Sequence, residues 1–307
     1  MWHISKMSKK AQTEAEIFDR RAVRLHRDRA AKDLSEFEFL LNEVAEMLAD
    51  RLRDIRRKFP IALDLGCHTG QVAKILAGRG GIENLMQCDL SEAMIGQADG
   101  AKFVADEEYL PVGDGVLDLA ISNLSLHWVN DLPGAFIQLR RALKPDGLLL
   151  AALLGGETLK ELRQALITAE SELTGGAGPR VSPFADIRDA GALLQRAGFA
   201  LPVADTDVLT VSYENPLKLM RDLRGMGEQM ATHNRQKEFT RKDTLFRAAK
   251  IYQKMFGDAD GRVPATFEVI TLTAWSPSPN QQQPLTRGSG EMNLADVLGA
   301  DDKSSQE

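Results

Sequence analysis

The sequence predicts an α/β fold: one Rossmann-like sheet of seven mostly parallel strands covered by helices, with helices ahead of it and a helical insertion between its last two strands. Three observations carry this. Short apolar runs alternate with stretches of helical periodicity from residue 59 onward, the pattern of a doubly wound sheet. A glycine-containing loop follows directly on the first of those runs and opens a helical segment. The last two strand-like segments, 205–213 and 265–275, are separated by a long stretch of helical rather than alternating pattern.

The elements follow in order. Residues 1–16, MWHISKMSKKAQTEAE, lack an apolar core and contain Glu14 and Glu16, so they read as a flexible start and not as a targeting peptide. Helices are expected over 17–58. The stretch IFDRRAVRLHRDRAA (17–31) and Lys32 carry the cations Arg20, Arg21, Arg24, His26, Arg27 and Arg29, which read as a solvated helix face. Leu34, Phe37, Leu40, Leu41, Val44, Met47, Leu48 and Leu52 then recur at helical spacing, placing one apolar stripe on a helix. In the core, 59–156, strands are expected at 61–65, 84–90, 102–106, 116–124 and 147–154. Helices are expected at 71–78, 91–98 and 132–143, the last ended by Lys144-Pro145-Asp146-Gly147. The part 157–275 opens with Glu157–Leu173 and Asp186–Ala197, which read as a helix pair, and carries a helical cap at 216–257 whose methionines, Met220, Met226, Met230 and Met255, read as core. Residues 17–275 thus read as one domain, and 276–307 as a mostly irregular tail with a short turn at 294–298.

Composition narrows the function. Lys+Arg is 38 and Asp+Glu is 44, a net charge of −6, which counts against broad nucleic-acid binding. The longest apolar run, Gly147 to Gly156, is too short to span a membrane. Two cysteines, Cys67 and Cys88, with no C-x-x-C spacing give neither a disulfide framework nor a zinc cage and suit a reducing compartment. Among the five histidines only His26-Arg27-Asp28 makes an H-x-D pair, and no second histidine stands near it in the sequence, so no metal site is expected.

The chemistry gathers at the strand ends. Asp64-Leu65-Gly66-Cys67-His68-Thr69-Gly70 follows the first strand, where glycines admit close backbone approach by a ligand. The second strand ends in Asp89-Leu90, a carboxylate placed for the two hydroxyls of a ribose. The third leads into Asp106-Glu107, acids placed for an adenine amino group, and the fourth ends at Asn123. A dinucleotide fingerprint is G-x-G-x-x-G, with pyrophosphate on the helix; here Asp64 precedes the glycines and would repel a pyrophosphate. It suits the cationic amino-acid end of S-adenosyl-L-methionine.

These residues resemble the class I S-adenosylmethionine-dependent methyltransferase superfamily, whose motifs match ALDLGCHTG, CDLSEAM and ADEEYLP. The resemblance implies cofactor binding by Asp64, Gly66, His68, Gly70, Asp89, Leu90, Asp106, Glu107 and Asn123. His68 stands where the superfamily usually has glycine. A further resemblance spans nearly the whole chain: IFDRRAVRLHRDRAA, SNLSLHWVNDLPGA, VSPFADIRDAGALLQRAGF, LRGMGEQMA, GRVPATFEVI and QQPLTRGSGEMNLADVLG are similar to mitochondrial complex I assembly factor 5 and its bacterial relatives. That family implies hydroxylation of an arginine in the iron-sulfur subunit of respiratory complex I near the quinone site. It implies a protein substrate, peripheral contact with membrane-associated intermediates and no nucleic acid. The compartment is the matrix in the eukaryotic family; for this chain a bacterial cytoplasmic location is expected. Two alternatives stay open: an O-methyltransferase of a carboxylate such as malonyl-carrier protein in biotin synthesis, and a non-catalytic cofactor-binding assembly chaperone. His127 and Trp128, just after the fourth strand, are the candidate catalytic residues because open α/β sheets place substrate at that edge.

Overall fold

The computed structural model describes residues 16–176, 178–236 and 240–281. The expected flexible start lies outside the described residues except for Glu16, and so does the tail beyond Gln281, including the turn at 294–298. The chain divides into two units, Met1–Pro277 and Ser278–Glu307, and the sheet with its helices belongs to the first.

Helix α1 spans Arg20–Ala30, a 3-10 turn Ala31–Glu36 follows, and α2 spans Phe39–Arg53. Then come β1 Ile61–Leu65, α3 Gln71–Leu76, β2 Asn84–Asp89, α4 Glu92–Ile95, β3 Ala101–Val104 and β4 Leu117–Asn123. After the 3-10 turn Leu126–Trp128 come α5 Leu132–Ala142, β5 Leu143–Leu154, α6 Lys160–Thr174 and α7 Ile187–Arg196. The last elements are β6 Ala200–Tyr213, α8 Pro216–Met226, α9 Lys242–Phe256 and β7 Val263–Trp275. The seven strands form one sheet in the order β3-β2-β1-β4-β5-β7-β6, parallel except for β7, which runs antiparallel to both its neighbours. The fold class read from the sequence is the fold observed.

Both faces of the sheet are buried, which is why its central strands read as continuous apolar runs rather than alternating ones. In β5, Leu148, Leu150, Ala152 and Leu154 join the core on one face, with α2, α6, α8 and α9. Leu149, Ala151 and Leu153 join the other, with α5 and α7. The expected pairing of the two helices after β5 is therefore corrected. Helix α6 packs through Leu162, Ala165 and Ala169 in one core, and α7 through Ala190 and Leu194 in the opposite one. Each has an apolar stripe that seeks the sheet, and periodicity does not say which face. Helix α4 is shorter than the expected 91–98, starting on a Ser91 cap that accepts from Met94 N. Strand β6 begins earlier than expected, at Ala200; it is an edge strand, so Pro202 removes no ladder hydrogen bond there.

The solvated reading of α1 is also corrected. Arg21, Arg24 and Arg29 are exposed, but Arg27 is buried to 1%. The methionines divide too: Met226 is core, whereas Met255 is exposed. Among the described residues no helix is long and apolar enough to cross a membrane.

Candidate functional site

The site forms where β1, β2 and β4 end. After Leu65 the chain takes left-handed conformations at Gly66 (φ 69°), His68 (φ 51°) and Gly70 (φ 86°), and so turns tightly beneath the strand ends. Gly66 N and Cys67 N both donate to Cys88 O, at 2.8 and 2.9 Å, pinning the loop to the end of β2. A Cβ on Gly66 would lie 2.0 Å from Ser125 Oγ, so this crossing requires glycine. His68 is buried rather than solvated, and its Nε2 donates to the Asn123 carbonyl at 3.1 Å.

The carboxylates here have different partners. Asp89 accepts from His68 N at 3.1 Å, from Ser91 N at 2.8 Å, and from Arg27 Nη1, 3.3 Å from each of its oxygens. Glu107 accepts from Arg27 at 3.1 Å, from Ser125 Oγ at 2.5 Å and from Arg20. Asp106, nearer the surface, accepts from Arg20 at 2.6 Å. The placement is local: residues 20, 23, 27 and 30 are one helix face, and Val23 and Ala30 anchor it in apolar surroundings while the two arginines reach the strand ends. Burial pushes the Glu107 carboxyl up, but Arg20, Arg27 and the Ser125 hydrogen bond outweigh it and hold it far below the carboxylate range. Asp64 is the opposite case. It is fully buried, neither oxygen has a hydrogen-bond partner among the described residues, and burial together with the Asp89 charge pushes it up to about 8. Burial and the Asp89 charge thus favour its protonated form.

A third acid completes the arrangement. Gly227, in left-handed conformation, ends α8, and Glu228 N donates back to Leu223 O at 2.9 Å. This cap sets the Glu228 carboxylate against the turn after β4. There His127 Nε2 donates to Oε2 at 3.0 Å, and Trp128 Nε1 lies 3.1 and 3.3 Å from the two oxygens. Burial raises the Glu228 carboxyl, but His127, Arg27 and His68 lower it further, so it is held below its ordinary value. Phe18 stacks edge-on against Trp128 at 5.4 Å, and Asp19 N donates to Ala231 O at 2.7 Å, so the α1 entry and the segment after α8 are tied together. Glu228 and Trp128 line a cavity of about 400 Å³ beyond the ends of β4 and β5.

Of the residues singled out from the sequence, Asp64, Gly66, His68, Asp89, Glu107 and Asn123 come together around the loop. Asn123 Nδ2 donates to Leu41 O at 2.8 Å, and its Oδ1 has no hydrogen-bond partner among the described residues. Gly70 closes the loop against Gln87, Leu90 packs with Phe18, Val23 and Trp128, and Asp106 sits at the rim. His127 is buried behind Glu228; Trp128 reaches the cavity. Sequence reasoning missed Arg20, Arg27, Ser125 and Glu228 as members of the site. The signal available for the arginines was their seven-residue spacing on one face with Val23 and Ala30. For Glu228 it was a lone acid following a helix-ending glycine. Among the described residues no group of three or more His, Cys, Asp or Glu is placed to hold a metal ion.

Comparison with known proteins bears on the fold and on ancestry. A model of a methyltransferase domain matches residues 63–151. Arginine-hydroxylase NDUFAF5, mitochondrial, from Danio rerio is 41% identical over 288 residues, covering 92% of this chain and 89% of the relative. Malonyl-[acyl-carrier protein] O-methyltransferase from Methylovorus sp. is 33% identical, covering 86% of this chain and 91% of the relative. The crystal structure of YcgJ from Bacillus superposes with a TM-score of 0.54 at 13% identity, covering 77% of this chain and 99% of that one. Phosphoethanolamine N-methyltransferase 2 from Haemonchus contortus, solved with S-adenosylhomocysteine, superposes at 0.51 with 16% identity, covering 83% and 60%.

Proposed function

The chain belongs to the NDUFAF5 arginine-hydroxylase family, and from that membership and the geometry of its strand ends we propose an S-adenosyl-L-methionine-binding protein-arginine hydroxylase that serves respiratory complex I assembly. The substrate is the iron-sulfur subunit near the quinone site, met as a protein surface at or near a membrane-associated intermediate. Two buried free thiols, Cys67 and Cys88, suit a reducing compartment such as the cytoplasm.

The observation that carries the cofactor reading is Asp64: a fully buried carboxyl whose two oxygens have no hydrogen-bond partner among the described residues, at the mouth of a loop whose crossing at Gly66 requires glycine. Bare burial of such a group is costly, and a cationic amino group is the donor that would satisfy it. The residues fit the cofactor along its length. Asp64 would accept from the amino-acid end, the Gly66 turn would let backbone approach, and Asp89 would accept from the ribose hydroxyls. Asp106 and Glu107 would meet the adenine side, and His68, Leu90 and Asn123 would complete the walls. When bound, the cofactor supplies a sulfonium and its activated methyl group. Asp89 already takes donors from His68, Ser91 and Arg27, so both ribose hydroxyls find acceptors there only as Arg27 withdraws.

The carboxylate O-methyltransferase alternative is less well supported. An acid substrate would meet Glu228 at the cavity wall, and relatives bearing that name are 33–35% identical where the hydroxylases reach 41%. His127 and Trp128 hold Glu228 and are positioning residues on this reading.

The test is peptide mass spectrometry of the complex I iron-sulfur subunit from cells with and without the gene. One arginine near the quinone site should carry an added oxygen that vanishes with the gene. An identical arginine in both strains overturns the hydroxylase reading.

A further inference from the structure

We propose that the cavity lined by Glu228 and Trp128 is a guanidinium-binding pocket, the place where the arginine side chain of the protein substrate is held. This rests on the arginine-hydroxylase reading for the identity of the ligand, but the pocket itself stands on its own geometry.

A cavity of about 400 Å³ lies within the size range of ligand sites. Its walls are largely aliphatic and aromatic, including Leu162, Leu166, Met220 and Phe184, which suits the methylene stem of a long side chain. Glu228 is among the lining residues, its side chain 12% exposed. Each carboxylate oxygen has about two acceptor directions. Oε2 is taken by His127 and Trp128, whereas Oε1 has the Trp128 contact alone, at 3.3 Å, leaving capacity for an N–H donor. The other charges lining the cavity are already balanced. Arg180 is held by Glu170 and by Thr240, and Arg235 by Asp19 at 2.9 Å. An entering cation therefore meets one under-satisfied anion and paired arginines. Ser182 Oγ, buried on the same wall, has no hydrogen-bond partner among the described residues and adds a polar contact. Trp128 adds an aromatic ring of the kind on which guanidinium groups stack. The pocket adjoins the cofactor site: Trp128, on its wall, shares a packed cluster with Leu90, the residue that follows Asp89. One buried cluster thus separates the proposed substrate cation from the proposed cofactor.

The test uses the full-length protein and a short peptide bearing one arginine, with matched citrulline and glutamate peptides, titrated calorimetrically. The arginine peptide should bind, with citrulline at least tenfold weaker and glutamate weaker still. Glu228→Gln should lower arginine-peptide affinity at least tenfold. Unchanged peptide affinity in Glu228→Gln, or tighter binding of the glutamate peptide, overturns the proposal. Should Glu228→Gln not fold, Leu166→Phe, which narrows the cavity and leaves the carboxylate in place, must weaken the same peptide; no change overturns it equally. The two readings separate in cells. Glu228-dependent peptide binding with no oxygenated arginine keeps the pocket and rejects hydroxylation, whereas undiminished oxygenation in Glu228→Gln cells keeps hydroxylation and rejects the pocket.

Discussion

Arg27, in the first helix, places its Nη1 3.3 Å from both carboxylate oxygens of Asp89, at the end of the second strand, with both side chains withdrawn from solvent. Removing one member of a buried pair leaves an uncompensated charge and typically costs about 3–5 kcal/mol. Arg27→Met keeps much of the volume and strands Asp89, so the unfolding free energy from urea titration should fall by an amount in that range. Cofactor affinity should hold or rise, because the ribose no longer competes with the guanidinium. Arg51→Ala is the control: Arg51 pairs with Asp205 and Asp207 at the surface, and its loss should cost under about 1 kcal/mol.

Asp64 sets a pH dependence that runs from the acid side up to about pH 8. Its folded value is raised to about 8 from an ordinary 3.8, so folding favours the protonated form. The stability contribution is complete below the ordinary carboxylate range and is lost as pH rises through it to about 8. Asp64→Asn should flatten that slope in denaturation measured from pH 5 to 9. A cationic cofactor group beside Asp64 favours the ionised form, so S-adenosylmethionine binding near pH 7 should release close to one proton. Calorimetry in buffers of different ionisation enthalpy reads this, and Asp64→Asn should abolish it.

Glu107 works in the other direction. Its carboxyl is held far below its ordinary value by Arg20 and Arg27, so its contribution is present above the ordinary carboxylate range and lost as pH falls toward the folded value. Glu107→Gln should remove most of the acid-side fall in stability between about pH 5 and pH 2, seen as a flatter acid limb in circular dichroism.

Gly66→Ala meets two obstacles at once: a φ of 69° and a Cβ 2.0 Å from Ser125 Oγ. The left-handed conformation alone costs about 1–2 kcal/mol for a residue with a side chain. The variant should melt several degrees lower and bind cofactor more weakly. Ser125→Gly in the same chain should recover the steric part of the loss and leave the conformational part.

The fold was legible because a sheet buried on both faces writes its strands as apolar runs. Leu148 to Leu154 serve two cores in alternation, and no polar residue interrupts them. What periodicity does not carry is the choice of face, so the sequence suggests a pairing of α6 with α7 although they lie on opposite sides of the sheet. The strand-end acids were legible because each follows a strand directly. Arg27 was not, since its burial depends on Asp89 and Glu107, 62 and 80 residues away. Along the sequence alone a buried arginine and a solvated one look alike. Glu228 was hidden for the same reason: its partners, His127 and Trp128, lie about a hundred residues earlier, and only the Gly227 turn marks it locally.

Asp64→Asn asks whether the acid at the end of β1 holds the cofactor on which arginine modification depends. Little damage to the fold is expected, because burial and the Asp89 charge already favour the neutral carboxyl that the amide replaces. The decisive measurement is the fraction of oxygenated arginine in the complex I iron-sulfur subunit from cells carrying only Asp64→Asn. The variant should fold stably, bind S-adenosylmethionine at least tenfold more weakly and leave that arginine largely unmodified. Full modification with cofactor binding lost would refute the dependence.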